Sequence, residues 1–326
     1  MSGSYVIAPG SPPARTPLRH VAAAAAIGLL LLLAVPLALG RAPYWLDVLT
    51  NACILSFASL GVWVTFAIGR INIAQGAFAM IGGYTTAILA TRFGIGFWFG
   101  LPVSAAVAAV AGILLGLPIL RLRGVYFAMI TLSLTEAVRL AFLSLGAATG
   151  GGTDIVNIPT PAGIGSPLAF YLLAAVLLLL GLLAVWRLDA SRLGAVFRAM
   201  RQNEDLAASI GIDVARYRVI AFAVASAMGG AAGSFFAVFH QNIFPASYTI
   251  QDSVNVMLYC FLGGLDFVLG PIVGAFLLVI ALELLTALQQ YQALLYGVLM
   301  IAAMLFLPNG LLSLRLARLR RGGETP

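Results

Sequence analysis

Apolar residues run along this chain in long blocks, separated by short stretches where Gly, Pro and Arg gather. The blocks fall near 21–39, 46–69, 71–91, 97–119, 124–146, 167–186 and 217–239. About 20 apolar residues in helical form cover the ~30 Å hydrocarbon core of a bilayer, so each block reads as a membrane helix. The first follows Arg15 and Arg19 and is longer than the roughly 7–15-residue core of a signal peptide. It reads as a span, with cleavage as the alternative. The stretch 252–307 is interrupted by Gly263-Gly264, Asp266, Gly270-Pro271 and a polar dip at Gln289-Gln290. These interruptions divide it into spans near 252–264, 268–286 and 291–307. The blocks 71–91 and 252–264 read as crossing or as re-entrant segments.

The arginines test this division. With ten spans and a cytoplasmic N-terminus, all 18 basic residues except Arg41, Arg92 and Arg139 fall on the cytoplasmic side. That is the asymmetry of the positive-inside rule, whereas nine spans would strand the cluster Arg315–Arg321 outside. The expected fold class is therefore an all-α, polytopic transmembrane helical bundle of about ten spans (eight to ten), with both termini cytoplasmic. A cytoplasmic tail over 1–20 precedes a transmembrane domain over 21–312. A cytoplasmic tail over 313–326 follows it. Two hydrophilic loops stand out, an external one at 147–167 and a longer, charged cytoplasmic one at 187–218.

Composition sharpens the picture by exclusion. Hydrophobic residues make up 62% of the 326 positions and charged residues 9%, with a mean hydropathy of +1.04. A soluble domain carries about 25% charged residues, so a soluble enzyme is excluded. Every basic residue is Arg, and a P-loop needs the Lys of G-x-x-x-x-G-K-[ST], so the chain has no Walker A site of its own. Two histidines, His20 and His240, cannot build H-E-x-x-H, and there is no G-x-S-x-G elbow. No metal, cofactor or nucleic acid is expected. Cys53 and Cys260 lie in apolar runs and read as buried small hydrophobes.

Within the cytoplasmic loop, 198–212 reads as one short helix. Val196, Ala199, Met200, Asn203, Leu206, Ala207 and Ile210 recur at helical spacing, Arg198, Arg201, Glu204 and Asp205 lie elsewhere on its surface, and Gly211 is a natural stop with φ > 0. Such a helix either lies on anionic lipid or docks into a partner protein. Two mid-helix acids are poor chemistry for a lipid surface, which favours docking. Among the spans, Asn72 and Gln75 stand beside Gly76, Gly82 and Gly83. That segment either hydrogen-bonds neighbouring helices or breaks and turns backbone dipoles toward a solute. Glu136 and Arg139, at i and i+3 in an apolar helix, either pair with each other or contact a solute from a cavity; a lone charge at that depth costs about 2.5–3.5 kcal/mol, and the spacing favours the ion pair. The pairs Gly112/Gly116, Gly229/Gly233 and Gly270/Gly274 are helix-packing signals. Asp266 and Glu283 read as boundary residues without a role.

At this point the chain resembles the permeases of branched-chain amino acid ABC transporters. Arg198-Ala199-x-Arg201-x-Asn203-Glu204-x-x-Ala207-x-x-x-Gly211-Ile212 is similar to the family's cytoplasmic coupling segment. Leu122-Arg123-Gly124-x-Tyr126-x-Ala128-Met129-x-Thr131-Leu132 with Glu136 and Arg139, then Thr149-Gly150-Gly151, match further segments in order. Leu262-Gly263-Gly264, Gly270-Pro271, Tyr296-Gly297 and Pro308-x-Gly310 complete the set. Two departures appear: Asn72-Ile73-Ala74-Gln75-Gly76 resembles the sister permease subunit, and Asp154-Ile155-Val156-Asn157-Ile158-Pro159 replaces the usual continuation of the external loop.

The resemblance implies a multi-pass permease subunit of the bacterial inner membrane that is not itself an enzyme. It would work with a second permease subunit, two cytoplasmic ATP-binding subunits, an extracytoplasmic solute-binding protein and surrounding lipid. Its solute would be a branched-chain or related amino acid, with urea, short amides or other carboxylates as the alternative. Arg198, Arg201, Glu204, Asp205, Ala207 and Gly211 would couple to the ATPases. Asn72, Gln75, Gly76 and Thr131 are the candidate solute pathway. An ion-coupled secondary transporter is the rival of another class, and it would want mid-membrane carboxylates, of which Glu136 alone qualifies.

Overall fold

The computed structural model describes residues 42–145, 155–161, 163–286, 291–306 and 310–311. The first apolar block, residues 149–154 of the external loop, Gln289-Gln290 and both tails lie outside the described residues. The helices are α1 (Pro43–Phe66), α2 (Gln75–Phe93), α3 (Phe97–Ile119), α4 (Val125–Ser144), α5 (Pro167–Ala190), α6 (Arg192–Gln202), α7 (Glu204–Ser209), α8 (Val214–His240), α9 (Ile250–Gly263), α10 (Gly270–Leu285) and α11 (Gln292–Phe306). The chain is an α-helical membrane protein. Of the described helices α1, α3, α4, α5 and α8 are long and apolar enough to cross a bilayer by length and composition. Two-residue strands β1 (Ile155–Val156) and β2 (Asn242–Ile243) pair antiparallel.

Starts and stops follow local chemistry. Pro43 and Pro167 sit in the first turns of α1 and α5, where their missing N–H costs nothing. Thr249 and Asp252 form a capping box at the start of α9. Gly94 closes α2 with φ +66°, the left-handed conformation that Gly adopts without a Cβ penalty.

One expected element differs. The cytoplasmic helix read over 198–212 starts earlier, at Arg192, and breaks at Asn203 into α6 and α7. Asn203 has extended backbone, and its Oδ1 accepts from the amides of Asp205 and Leu206, both at 3.0 Å. The side chain thus replaces the intrahelical bonds with an N-cap. The break rotates α7 out of register, so Leu206 and Ile210, read as part of the apolar face, are 64% and 71% exposed.

Contacts sort the connections to two ends of the bundle. Residues 67–74, 120–124, 191–213 and 264–269 meet at an Arg-rich end, through Arg70–Glu204, Arg123–Asp205 and Arg201–Asp266. The indole of Trp63 donates to the Leu265 carbonyl there (3.0 Å). At the other end, Ile155 pairs with Ile243 and the Ile158 amide donates to Gln241 O at 3.1 Å.

Helices α1–α4 and α8–α11 interlock. Helix α8 packs on α2 and α3, α1 packs on α9 and α10, and α1 and α8 cross between them. A non-helical return, 67–74, follows α1 and leads into α2, while α8 is followed by β2 and a short 3-10 helix, Pro245–Ser247, before α9. Small residues let the backbones approach. A Cβ on Gly82 or Gly233 would meet the backbone of Gly230 or Ala79, and one on Gly274 would meet Tyr259.

Candidate functional site

The return 67–74 carries the chain from the Arg-rich end back into the bundle. Arg70 anchors its outer part, donating to the Leu122 carbonyl and lying 5.4 Å over the Phe127 ring. Beyond it the backbone is held by side chains: the Ile73 amide donates to Thr131 Oγ1 (3.2 Å) and Thr135 Oγ1 donates to the Ile73 carbonyl (3.2 Å). Gln75 Nε2 then donates to the carbonyls of Ala58 in α1 (2.9 Å) and Ala225 in α8 (3.2 Å). Ala58 precedes the end of α1 by about two turns, ~12 Å of rise, and Thr135 follows the start of α4 by ~15 Å. Helix α2 therefore begins inside the bundle, well away from the ends of α1 and α4.

Helix α9 begins at the same depth. Its Ser253 Oγ accepts from the Gly76 amide (2.9 Å) and lies 3.2 Å from Thr135 Oγ1. A Cβ on Gly76 would collide with that hydroxyl. Asn72, Gln75, Thr131, Thr135 and Ser253 are all buried. Among the described residues, Asn72 Nδ2 and Gln75 Oε1 have no hydrogen-bond partner. A buried unpaired polar atom costs about 1–3 kcal/mol, and two of them mark the break as the place where the fold is least satisfied. The structure thus brings Asn72, Gln75, Gly76 and Thr131 together in the interior. Thr135 and Ser253 join them, although no sequence signal singled them out.

Glu204 occupies a different position from the one its helical spacing suggested. It faces inward at the Arg-rich end, 3.1 Å from Arg70 Nη2, and accepts from Arg218. Arg123 Nε approaches to 3.6 Å. Exposures of 4% for the Arg70 side chain and 16% for Glu204 make this a part-buried clamp. It ties α7 to the 67–74 return, to the α3–α4 connection and to α8. Burial raises the Glu204 carboxyl pKa, but hydrogen bonds and charge from Arg218 and Arg70 outweigh it and hold the group below its ordinary value.

The remaining loop residues divide by side. Asp205 is 78% exposed and pairs with Arg123 at 3.1 Å. Arg198 pairs with Asp189 at 2.6 Å. Arg201 pairs with Asp266 at 2.9 Å, which gives the boundary Asp a partner that its place in the sequence did not suggest. Ala207, Phe197 and Met200 are buried, and Gly211 has φ +88°. On α4, Arg139 Nε donates to Glu136 Oε2 at 3.0 Å. Both side chains belong to one helix and are 25% and 34% exposed.

A family model described as branched-chain amino acid transport system / permease component matches residues 44–304. The chain is 33% identical over 302 residues to the high-affinity branched-chain amino acid transport system permease protein LivM of Escherichia coli K12. That match covers 84% of this chain and 71% of the relative. It is 28% identical over 295 residues to the probable permease LivH of Methanocaldococcus jannaschii, covering 82% and 91%. It is 28% identical over 247 residues to the autoinducer 2 import system permease protein LsrC of Enterobacter sp. 638, covering 70% of each. No solved structure matches significantly.

Proposed function

Since the chain belongs to the branched-chain amino acid transport permease family and fills the permease role of an ABC importer, we propose that it carries a branched-chain or related amino acid across the bacterial inner membrane. It does so with ten spans and both termini in the cytoplasm, beside a second permease subunit of the same family. Two cytoplasmic ATP-binding subunits hydrolyse ATP, because this chain has no Lys for a P-loop. An extracytoplasmic binding protein delivers the solute.

The observation that carries this reading is the clamp between the cytoplasmic segment and the membrane break. Closure of the ATPases pushes on α6–α7 through Arg198, Arg201, Asp205 and the surface around Ala207 and Gly211. Glu204 passes the movement to Arg70, and so to the return that ends at Asn72 and Gln75. That return, with Gly76 and Thr131, is the moving part of the solute pathway. Discontinuous helices are a usual address of a transporter's binding site, and the break before α2 is such an interruption, which supports this placement.

Co-purification of the ATPases with this chain, and ATP-dependent leucine uptake by vesicles that urea and acetamide fail to compete, are the expected results. Reporters fused after Asn157 should read outside, and those after Asn203 and at the C-terminus inside. Uptake that follows an ion gradient without ATP overturns the importer reading. An external C-terminal reporter overturns the ten-span topology.

A further inference from the structure

The lateral surface of the bundle has two kinds of face. Helices α3 and α5 present apolar side chains alone at membrane depth, with Val103, Val110 and Leu114 exposed on α3 and Leu180 and Leu183 on α5. That is a surface for lipid. The face of α4 and α9 is different. Glu136 lies eleven residues into α4 and Arg139 fourteen, ~16 and ~21 Å from its start, so both stand near mid-membrane. Beside them, α9 exposes Gln251 and Asp252 in its first turn, and Asn255 accepts from Gln251 Nε2 (3.2 Å) and from the Tyr296 hydroxyl of α11 (3.0 Å). The bond between Thr135 and Ser253 sets α4 and α9 at the same depth.

The Glu136–Arg139 pair does not hold helices together. Both partners are on α4, and a quarter to a third of each side chain is uncovered. Turned to lipid, each charge would cost about 2.5–3.5 kcal/mol on insertion scales. Such a pair belongs against water or a polar ligand. On the same stripe of α4, Met129 and Leu140 lie seven residues before and four after Glu136, 60% and 49% exposed.

We propose that Glu136 and Arg139 are the head-group site of the translocation pathway, which runs along the α4–α9 face against the second permease subunit. The solute class is a zwitterionic amino acid with an apolar side chain. Glu136 accepts from the ammonium, the Arg139 guanidinium donates to the carboxylate in the two-pronged geometry it favours, and Met129 and Leu140 take the side chain. Before the solute arrives the two residues satisfy each other. This site rests on the permease reading and extends it.

The test uses the chain assembled with its partner subunits in vesicles. The double variant Glu136→Gln, Arg139→Gln should keep assembly and ATP hydrolysis and lose leucine uptake at least ~10-fold. Wild-type uptake by the double variant overturns the site. So does a pattern in which each single change prevents assembly and the double change restores it together with uptake, because that is the behaviour of a structural pair. An independent measurement covers a double variant that fails to assemble. Asn255→Cys and Ser133→Cys should react with a water-soluble methanethiosulfonate, more slowly with leucine-loaded binding protein present, while Leu180→Cys stays inert. The native thiols of Cys53 and Cys260 are buried. Cysteines at 255 and 133 as inert as the one at 180 overturn the proposal. If the unaltered complex shows no ATP-dependent leucine uptake, the permease reading fails rather than the site.

Discussion

Replacing Glu204 by Gln leaves the chain in the membrane, leaves the ATPases hydrolysing ATP, and abolishes uptake. Among the described residues the carboxylate is the acid that pairs with Arg70, whose side chain is 4% exposed, and it also serves Arg218. Removing one partner of a buried ion pair costs on the order of 3–5 kcal/mol, because the remaining charges stay desolvated and uncompensated. Here that cost falls on the junction between α7 and the 67–74 return, so α7 detaches while the spans remain packed. The exposed neighbour behaves differently. Asp205 is 78% exposed and pairs with the 61%-exposed Arg123, a solvent-screened contact that adds little to the fold. Asp205→Arg is expected to weaken ATPase co-purification while Glu204→Gln spares it. Equal loss of co-purification in both variants, or wild-type uptake with Gln at 204, sinks the clamp.

Acidity should act on the same junction. The Glu204 carboxyl titrates below the ~4.3 of a free glutamate. Its contribution is therefore complete above that value and is lost only as the pH falls below it. Uptake by purified vesicles should show no step from this group between neutrality and the ordinary carboxylate range.

The long apolar helices were legible because membrane helices announce themselves by length of apolar run, and α1, α3, α4, α5 and α8 are long enough to cross. In the region 252–307 the interruptions at Gly263-Gly264 and Gly270-Pro271 separate α9 from α10, and α9, α10 and α11 are helices of 14, 16 and 15 residues. The side on which Glu204 lies was not legible. Its orientation depends on whether α6 and α7 are continuous, and Arg-Gln-Asn-Glu has no Pro or Gly to betray the break at Asn203. A single capping residue turned an outward charge into an inward one. Asp266 was misjudged for a related reason: its partner Arg201 is 65 residues away, and no spacing rule connects them. The break before α2 was partly legible, since Asn72, Gln75 and three glycines are an odd set for a span. Its other wall, Thr135 and Ser253, carries ordinary residue types whose meaning comes from packing alone.

Gly233→Val should remove the folded protein altogether. The sequence shows only that Gly229 and Gly233 share a helix face; the structure supplies the partner. Gly229 makes room for the Gln75 amide, with its added carbon 3.0 Å from Nε2, and Gly233 lies against the carbonyl of Ala79 in α2. Overpacking a core costs about 1–3 kcal/mol when side chains can yield. Here the obstacle is backbone, held by the ladder of α2, and relief requires parting α8 from α2. Among the described helices that contact is matched only by the one between α8 and α3, and the start of α2 also carries the Gln75 bridge to α1. Even Gly233→Ala should lower the yield of monodisperse protein severalfold in detergent. Gly297→Ala is the control, because its added carbon meets nothing within 4 Å among the described residues. Chromatography of the solubilised chain reads both outcomes. A monodisperse Gly233→Val protein at wild-type yield would mean that α2 and α8 are not packed backbone to backbone.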